Sequence, residues 1–371
     1  MDFFEPDLEE LVPDGNFYKL LHELLDFEEL AKPLEKLYSK VGRKGYPPAS
    51  GLKCLIVQFL EDLSDRQLEE HLQMHIGAKF FCGFQLTDKT PDHTYFCYLR
   101  RKIGTKRIAK LFRKVGRALK NAGYIREVFT FVDASKVEAQ VDSWAARDKA
   151  LEARQKRIEE EKRRIANAKR RAEQEPSPQS TTVPIETEAE APPEHSAPEP
   201  PSPTLEEEPV LSNKNMEKFS SDPDARIGCK GKNNYWLGYK KHVSVDMTLG
   251  LINKVAITPA NVSDGKAIKH VCPSAGMIFA DKGYCSKLSL QSIRAKGCHP
   301  GVVLKRNMKA KDRDKDRWLS SVRMPFENVF ARHNNKARYR TTERVQFQAV
   351  MESFAHNFRR LIACGISRIV L

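Results

Sequence analysis

The sequence lacks the usual means of leaving a cell or of drawing energy from a nucleotide. None of its 371 residues fall in an apolar run long enough to span a bilayer. The opening Met1-Asp-Phe-Phe-Glu5 is acidic where a secretory signal carries a basic region. The 8 cysteines include no CxxC pair, so reduced thiols in a cytoplasmic setting are expected, not a disulfide framework. His270, Cys272, Cys285, Cys298 and His299 lie close in sequence without zinc-finger spacing, and core or surface roles are expected of them. There is no GxxxxGK[ST] phosphate loop, which argues against ATP-driven chemistry.

Charge of one sign is also missing over long stretches. Residues 176–210 hold eight Glu and no Lys or Arg, so the net charge of +14 leaves about +22 on the rest of the chain. A polyanion is the natural partner of such a surface, because Lys and Arg neutralise phosphates and release counterions. No acid occurs between Asp92 and Glu127. Within that gap Lys106, Lys110, Arg113, Arg117 and Lys120 recur at helical spacing, with Ile108, Leu111, Phe112, Val115 and Leu119 on the other side. A solvated face normally mixes signs, so a stripe of one sign favours contact with DNA phosphates.

Residues 1–125 read as an all-helical leader. Apolar spacing predicts helices over Asn16–Leu25 and Phe27–Leu37, and Tyr46-Pro-Pro48 breaks the chain. Leu52, Leu55, Ile56, Phe59, Leu60 and Leu63 mark the next helix. Ser64-Asp-Arg-Gln67 matches a capping box and starts another at Asp65. Two helices in such close succession fit a helix-turn-helix and fit a core helix pair equally well. Thr90-Pro91 predicts the start of the basic helix.

Residues 148–215 read as an insertion. Asp148–Glu175 is dense in charge, and Leu151, Ile158, Ile165 and Ala172 fall seven apart. The partner positions Arg154, Glu161 and Ala168 complete no apolar seam, so a solvated helix is expected over a coiled coil. Residues 176–215 are acidic and rich in proline, and no fixed structure is expected of them.

Strand patterns stand on both sides of the insertion, so residues 126–147 and 216–371 read as one α/β domain. Phe129-Thr-Phe-Val-Asp133 is a short run of strand formers, and Tyr235–Asp246 with Leu251–Ile257 predicts a hairpin. A helix over Gly265–Val271, a strand ending at Asp281, a helix over Lys287–Lys296 and a strand over Gly301–Leu304 follow. Helices around Glu327 and over Thr342–Cys364 close the domain.

Three acids draw attention. Asp133 and Asp281 each end a short apolar run, and Glu327 sits in a helical segment after Arg323. A bare carboxylate is penalised in a buried strand unless a cation or a metal compensates it. Three carboxylates suit Mg²⁺ or Mn²⁺, and two such ions can serve in-line displacement at phosphorus. Lys136, Lys282 and Arg323 lie beside the acids, and Lys282, Arg323 and Lys336 are candidate phosphate contacts.

The motifs Val132-Asp-Ala-Ser135, Asp222-Pro-Asp-Ala-Arg226, Gly238-Tyr-Lys-Lys-His242, Thr258–Asp264, Ala280-Asp-Lys-Gly-Tyr284 and Arg323-Met-Pro-Phe-Glu327 together carry a resemblance. So do Leu63–Glu69 and Pro91–Thr94 in the leader. The chain resembles a DDE transposase of bacterial insertion sequences, of the insertion-sequence-family-five kind, over nearly its whole length outside the insertion. The resemblance implies a ribonuclease-H-like mixed sheet with flanking helices and a metal site of Asp133, Asp281 and Glu327, loaded with two Mg²⁺ or Mn²⁺ ions. It further implies binding to terminal inverted repeats and target DNA as a homodimer or larger assembly at the bacterial nucleoid, with metal-dependent cleavage and strand transfer. Alternatives are a metal nuclease of the same fold that cuts without joining, and an inactive DNA-binding descendant. One departure stands out: in the related Tyr-x₂-Arg-x₃-Glu-x₆-Lys pattern, Ser320 holds the Tyr position and Asn334 the Lys position, with Lys336 nearby.

Overall fold

The computed structural model describes residues 7–39, 45–141, 143–174, 220–231, 234–305, 312–331 and 335–371; at 327–331 and at several positions of the inserted helix it describes the backbone alone. The described chain divides into two units, Met1–Gln140 with Asp222–Leu371, and Val141–Ser221.

The larger unit opens with helices α1 (Leu8–Leu11), α2 (Phe17–Leu24) and α3 (Phe27–Ala31), the last running into a 3₁₀ turn at Lys32–Leu37. Then come α4 (Pro48–Leu60), α5 (Asp65–Met74), α6 (Ile76–Phe81) and α7 (His93–Asn121). Polar caps fix the starts: Asn16, Asp26, Ser64, His75 and Asp92 each accept a backbone N–H from the first turn. At Ser64 the expected capping box is complete. The cap of α7 is Asp92, so Thr90-Pro91 lies just outside the helix.

Every residue of α4 from Ala49 to Leu60 is buried, Lys53 and Gln58 included. Helix α4 is therefore core, whereas α5 buries only Leu68 and Leu72. The outer face of α5 shows Arg66, Gln67, Glu70 and Gln73, a set without basic bias. Helix α7 kinks at Gly104, whose φ of 68° and ψ of 161° only a residue without Cβ adopts readily. Beyond the kink its apolar side carries Ile108, Leu111, Phe112, Val115 and Leu119 into the core, as the periodicity predicts.

The sheet grows from β1 (Phe129–Glu138). On one side β1 pairs antiparallel with β3 (Asn234–Asp246), and β3 pairs with β2 (Arg226–Lys230) along its first half and β4 (Leu251–Pro259) along its second. On the other side β1 pairs in parallel with β5 (Met277–Ala280), which pairs in parallel with β6 (His299–Val302). Helix α9 (Asp264–Val271) connects β4 to β5 and α10 (Lys287–Ala295) connects β5 to β6. Four strands paired antiparallel, β1 to β4, followed by two parallel ones, β5 and β6, make the ribonuclease-H-like mixed sheet. Helices α11 (Arg313–Ala331) and α12 (Thr342–Ala363) complete the unit.

Alternation along the strands sends side chains to two faces. One face packs Val132, Ile278, Ala280 and Val302 against Ile268 and Val271 of α9 and Ile293 of α10. The other packs Phe131, Val243, Val245 and Phe279 into a core shared with α12 and with the leader helices. Phe112 of α7 meets Phe354 of α12 edge to face at 5.1 Å, and Phe27 of α3 meets Phe358 at 6.0 Å. The last residues pack beside the leader: Ile369 donates its N–H to Leu24 O at 2.8 Å.

In the smaller unit α8 spans Ser143–Gln174, and each of its described side chains is exposed, Ile158 and Ile165 included, as for a solvated helix. The proline-rich residues 176–215 lie outside the described residues. No helix of the described residues is long and apolar enough to cross a membrane.

Candidate active site

The parallel register of β1 and β5 matches Val132 with Ala280, so the residues that follow, Asp133 and Asp281, stand side by side. They reach this level differently. Strand β5 stops at Ala280 and its chain turns into a 3₁₀ turn over Lys282–Tyr284. Strand β1 continues to Glu138, so Asp133 is a half-buried mid-strand residue beside the point where its neighbour departs and not, as its sequence suggested, a strand end. Beyond that point the open edge of β1 is taken by residues 335–337: Glu138 donates to Asn335 O and Ala337 donates to Glu138 O, both at 2.7 Å.

Both acids lie on the face that α11 covers. Arg323 is buried there, with its guanidinium carbon 5.6 Å from the Phe131 ring centroid and Nη1 3.5 Å from Asp281 Oδ1. Asp133 Oδ1 accepts the Ala134 N–H at 2.8 Å. Burial pushes the Asp133 carboxyl up to about 6, against the pull of that N–H and of Arg323 and with the help of Asp281's charge. Glu327 falls in α11 four residues beyond Arg323, on the next turn of the same helix face; its side chain lies outside the described residues. Among the described residues no three His, Cys, Asp or Glu side chains converge.

The basic candidates separate into kinds. Lys106, Lys110, Arg113 and Arg117 are exposed along the second half of α7. Lys120 is half-buried, with Nζ 2.7 Å from Glu127 Oε1. Lys110 and Arg117 also line a groove of about 500 Å³ with Arg107, Lys114, Lys32 and Lys36. Lys282 and Lys336 are exposed near the ends of β5 and β1. Arg323, by contrast, is buried against Asp281.

The chain matches two families, one described as a Transposase domain (DUF772) over residues 6–102 and the other as a Transposase DDE domain over residues 180–358. The chain is a DDE-type transposase. A cryo-EM structure of a piggyBac transposase synaptic complex with hairpin DNA is 9% identical and covers 94% of this chain and 75% of its own, at a TM-score of 0.31. That likeness is too loose to bear on the site.

Several motifs of this transposase turn out to brace the fold. Asp65 is gripped by Arg100 at 2.7 and 2.5 Å, and Glu69 accepts from the His93 N–H at 3.0 Å. Asp222 accepts from Tyr239 Oη at 2.7 Å and from the Thr341 N–H at 3.1 Å. Lys240 Nζ lies 3.0 Å from Asp264 Oδ1 and donates to Val262 O. Next to it His242 is fully buried, with Nε2 2.9 Å from Thr258 Oγ1 and Nδ1 3.4 Å from Tyr284 Oη. Burial pushes this imidazole down to about 4, so it is neutral. Sequence reasoning assigned these residues no role, because each partner lies on a different element.

Proposed function

We propose that this transposase cuts DNA at the ends of a bacterial insertion sequence of the family-five kind and joins the freed ends to a target, using Asp133, Asp281 and Glu327 as metal-binding acids. The observation that carries the reading is the β1–β5 register, which brings Asp133 and Asp281 together beneath the helix that bears Arg323 and Glu327. The donor set fits a hard cation: the two described acids offer only carboxylate oxygens, and burial already disfavours the charge on Asp133. Bound Mg²⁺ or Mn²⁺, two ions in the full site, would supply the positive charge that favours an attacking oxygen and a departing one at the same phosphorus.

The chain's own groups supply the rest. In cleavage a water oxygen bonds to the scissile phosphorus and the bond to the 3′ oxygen breaks, leaving a 3′-hydroxyl. In joining, that hydroxyl attacks a target phosphodiester and displaces another 3′ oxygen, so one bond replaces another and no nucleotide is consumed. Lys106, Lys110, Arg113 and Arg117 are assigned to phosphates of the terminal inverted repeats, and Lys282 and Lys336 to phosphates near the acids. Arg323 holds Asp281 from the α11 side. Two ends must be held at once, which calls for a homodimer or larger assembly on DNA at the nucleoid.

Asp133→Asn, Asp281→Asn and Glu327→Gln keep size and remove charge. Each variant is expected to fold, to bind end DNA as the parent does, and to fail at both cleavage and joining in Mg²⁺. Full activity in a stably folded variant would remove that residue from the site. Strand transfer from pre-cut ends tests joining by itself, and its absence beside normal cleavage would make the protein a nuclease.

A further inference from the structure

The turn that carries Asp281 is held from behind the sheet by polar groups that the chemistry above does not use. Lys282–Tyr284 forms a single 3₁₀ turn, closed by the Tyr284 N–H donating to Asp281 O at 2.9 Å. Its last residue, Tyr284, is 1% exposed and points its hydroxyl at His242 Nδ1. The other ring nitrogen of His242 meets Thr258 of β4. A neutral imidazole has one N–H donor and one acceptor nitrogen, so a hydroxyl on each side satisfies it fully. The middle of the turn is closely approached as well: a Cβ on Gly283 would stand 3.1 Å from Asp264 Oδ2, and that carboxylate is fixed by Lys240. Strands β3 and β4 thus hold the turn, and helix α9 lies against it. His242 pairs in register with Ala134, the neighbour of Asp133, so the same strand fixes both acids.

Burying this polar chain costs desolvation that an apolar cluster would avoid, and its partly satisfied forms are worse than none. The surrounding core of Val132, Ile268, Ala280 and Ile293 is apolar and needs no such chain to pack. A directional restraint is what hydrogen bonds add that packing does not.

We propose that Tyr284, His242 and Thr258 are positioning residues that set the Asp281 carboxylate relative to Asp133, and so set the affinity of the site for its metal. The proposal rests on the reading of Asp281 as a metal ligand. Tyr284→Phe removes one hydroxyl and leaves the ring in place. Direct Mn²⁺ binding, followed by the electron paramagnetic resonance of free Mn²⁺, is expected to weaken about tenfold, the low end of losses from outer-shell partners of metal ligands. Amide exchange at residues 282–286, read by mass spectrometry, should accelerate while the rest of β5 and α10 keeps its protection. Cleavage should fall at low Mn²⁺ and return at high Mn²⁺.

Thr258→Val loosens the same chain one bond further out and should weaken Mn²⁺ binding by about threefold; it decides the matter if Tyr284→Phe does not fold. A folded variant with unchanged Mn²⁺ affinity and a lowered melting temperature would overturn the proposal and leave these residues a structural role only. Asp281→Asn is run beside them. If it abolishes Mn²⁺ binding while Tyr284→Phe does not weaken it, the positioning role alone fails. If Asp281→Asn binds Mn²⁺ normally, the ligand reading fails and the positioning role with it.

Discussion

Arg323 stands between Asp281 and the Phe131 ring, 3.5 Å from the carboxylate and 5.6 Å from the ring centroid. One guanidinium therefore neutralises part of the charge of two neighbouring acids and fills the space above the β1 aromatic. Replacing it by Gln should leave those acids facing each other. With Asp281 44% exposed, the loss of stability is expected near 1–2 kcal/mol, below the ~3–5 kcal/mol of a fully buried pair. Added Mg²⁺ should raise the melting temperature of Arg323→Gln more than that of the parent, since a cation replaces what was removed. Equal metal-induced shifts would mean that Arg323 does not compensate the acids.

The stripe on α7 should divide by function. Changing Lys106, Lys110, Arg113 and Arg117 together to Gln is expected to weaken DNA binding and flatten the plot of log affinity against log salt, by about 0.9 for each phosphate no longer neutralised. Lys120→Gln should leave that slope alone and lower thermal stability, because its ammonium is engaged by Glu127. A slope unmoved by the fourfold change would place the DNA elsewhere.

Glu127 predicts a pH dependence. Burial works against its carboxylate, but the Lys120 ammonium and the Asn253 amide outweigh it and hold the group below its usual range. Since the folded pKa is the lower one, the contribution is complete above the unfolded value of about 4.3 and is lost as pH falls through the folded value. Glu127→Gln should lower stability at neutral pH, and the gap to the parent should narrow in acid. Denaturant melts of both proteins at a series of pH values from 7 downward follow the gap. A gap independent of pH would mean the ion pair contributes nothing.

Phe354 joins the two halves of the larger unit, touching Phe112 at 5.1 Å and stacking on Phe358 at 5.6 Å. Phe354→Ala is expected to destabilise by about 3–5 kcal/mol. Leader and sheet should still unfold in one transition, since their apolar side chains belong to one core. Two separated transitions in calorimetry would show that the leader is held independently.

Much of this was legible in the chain, and the exceptions have physical causes. Strand β1 was visible because Phe129, Phe131 and Val132 favour strands, and α5 because its capping box is local. Strand β2, Arg226-Ile-Gly-Cys-Lys230, was not: it is short, contains glycine and buries only one of its residues. Strand β6 begins at His299-Pro300, where proline argues against a strand, yet β6 is the edge of the sheet and an edge tolerates the missing donor. The kink at Gly104 is hidden inside a periodic run that continues on both sides. At the site the two aspartates were readable as residues. Their adjacency was not, because it depends on pairing across 148 positions, and neither was the Tyr284–His242–Thr258 chain, which spans three elements.

The hydrogen bond from Ile369 to Leu24 has a consequence for synthesis. Helices α2, α3, α4 and α7 leave a ribosome long before α12, and although they pack on one another and on α6, parts of their apolar faces find their cover only when α12 arrives. A nascent chain carrying the leader and the whole sheet would still show those faces to the solvent. The leader should therefore be a client of chaperones during translation, and a ribosome stalled before residue 342 should display a chain that proteases cut readily.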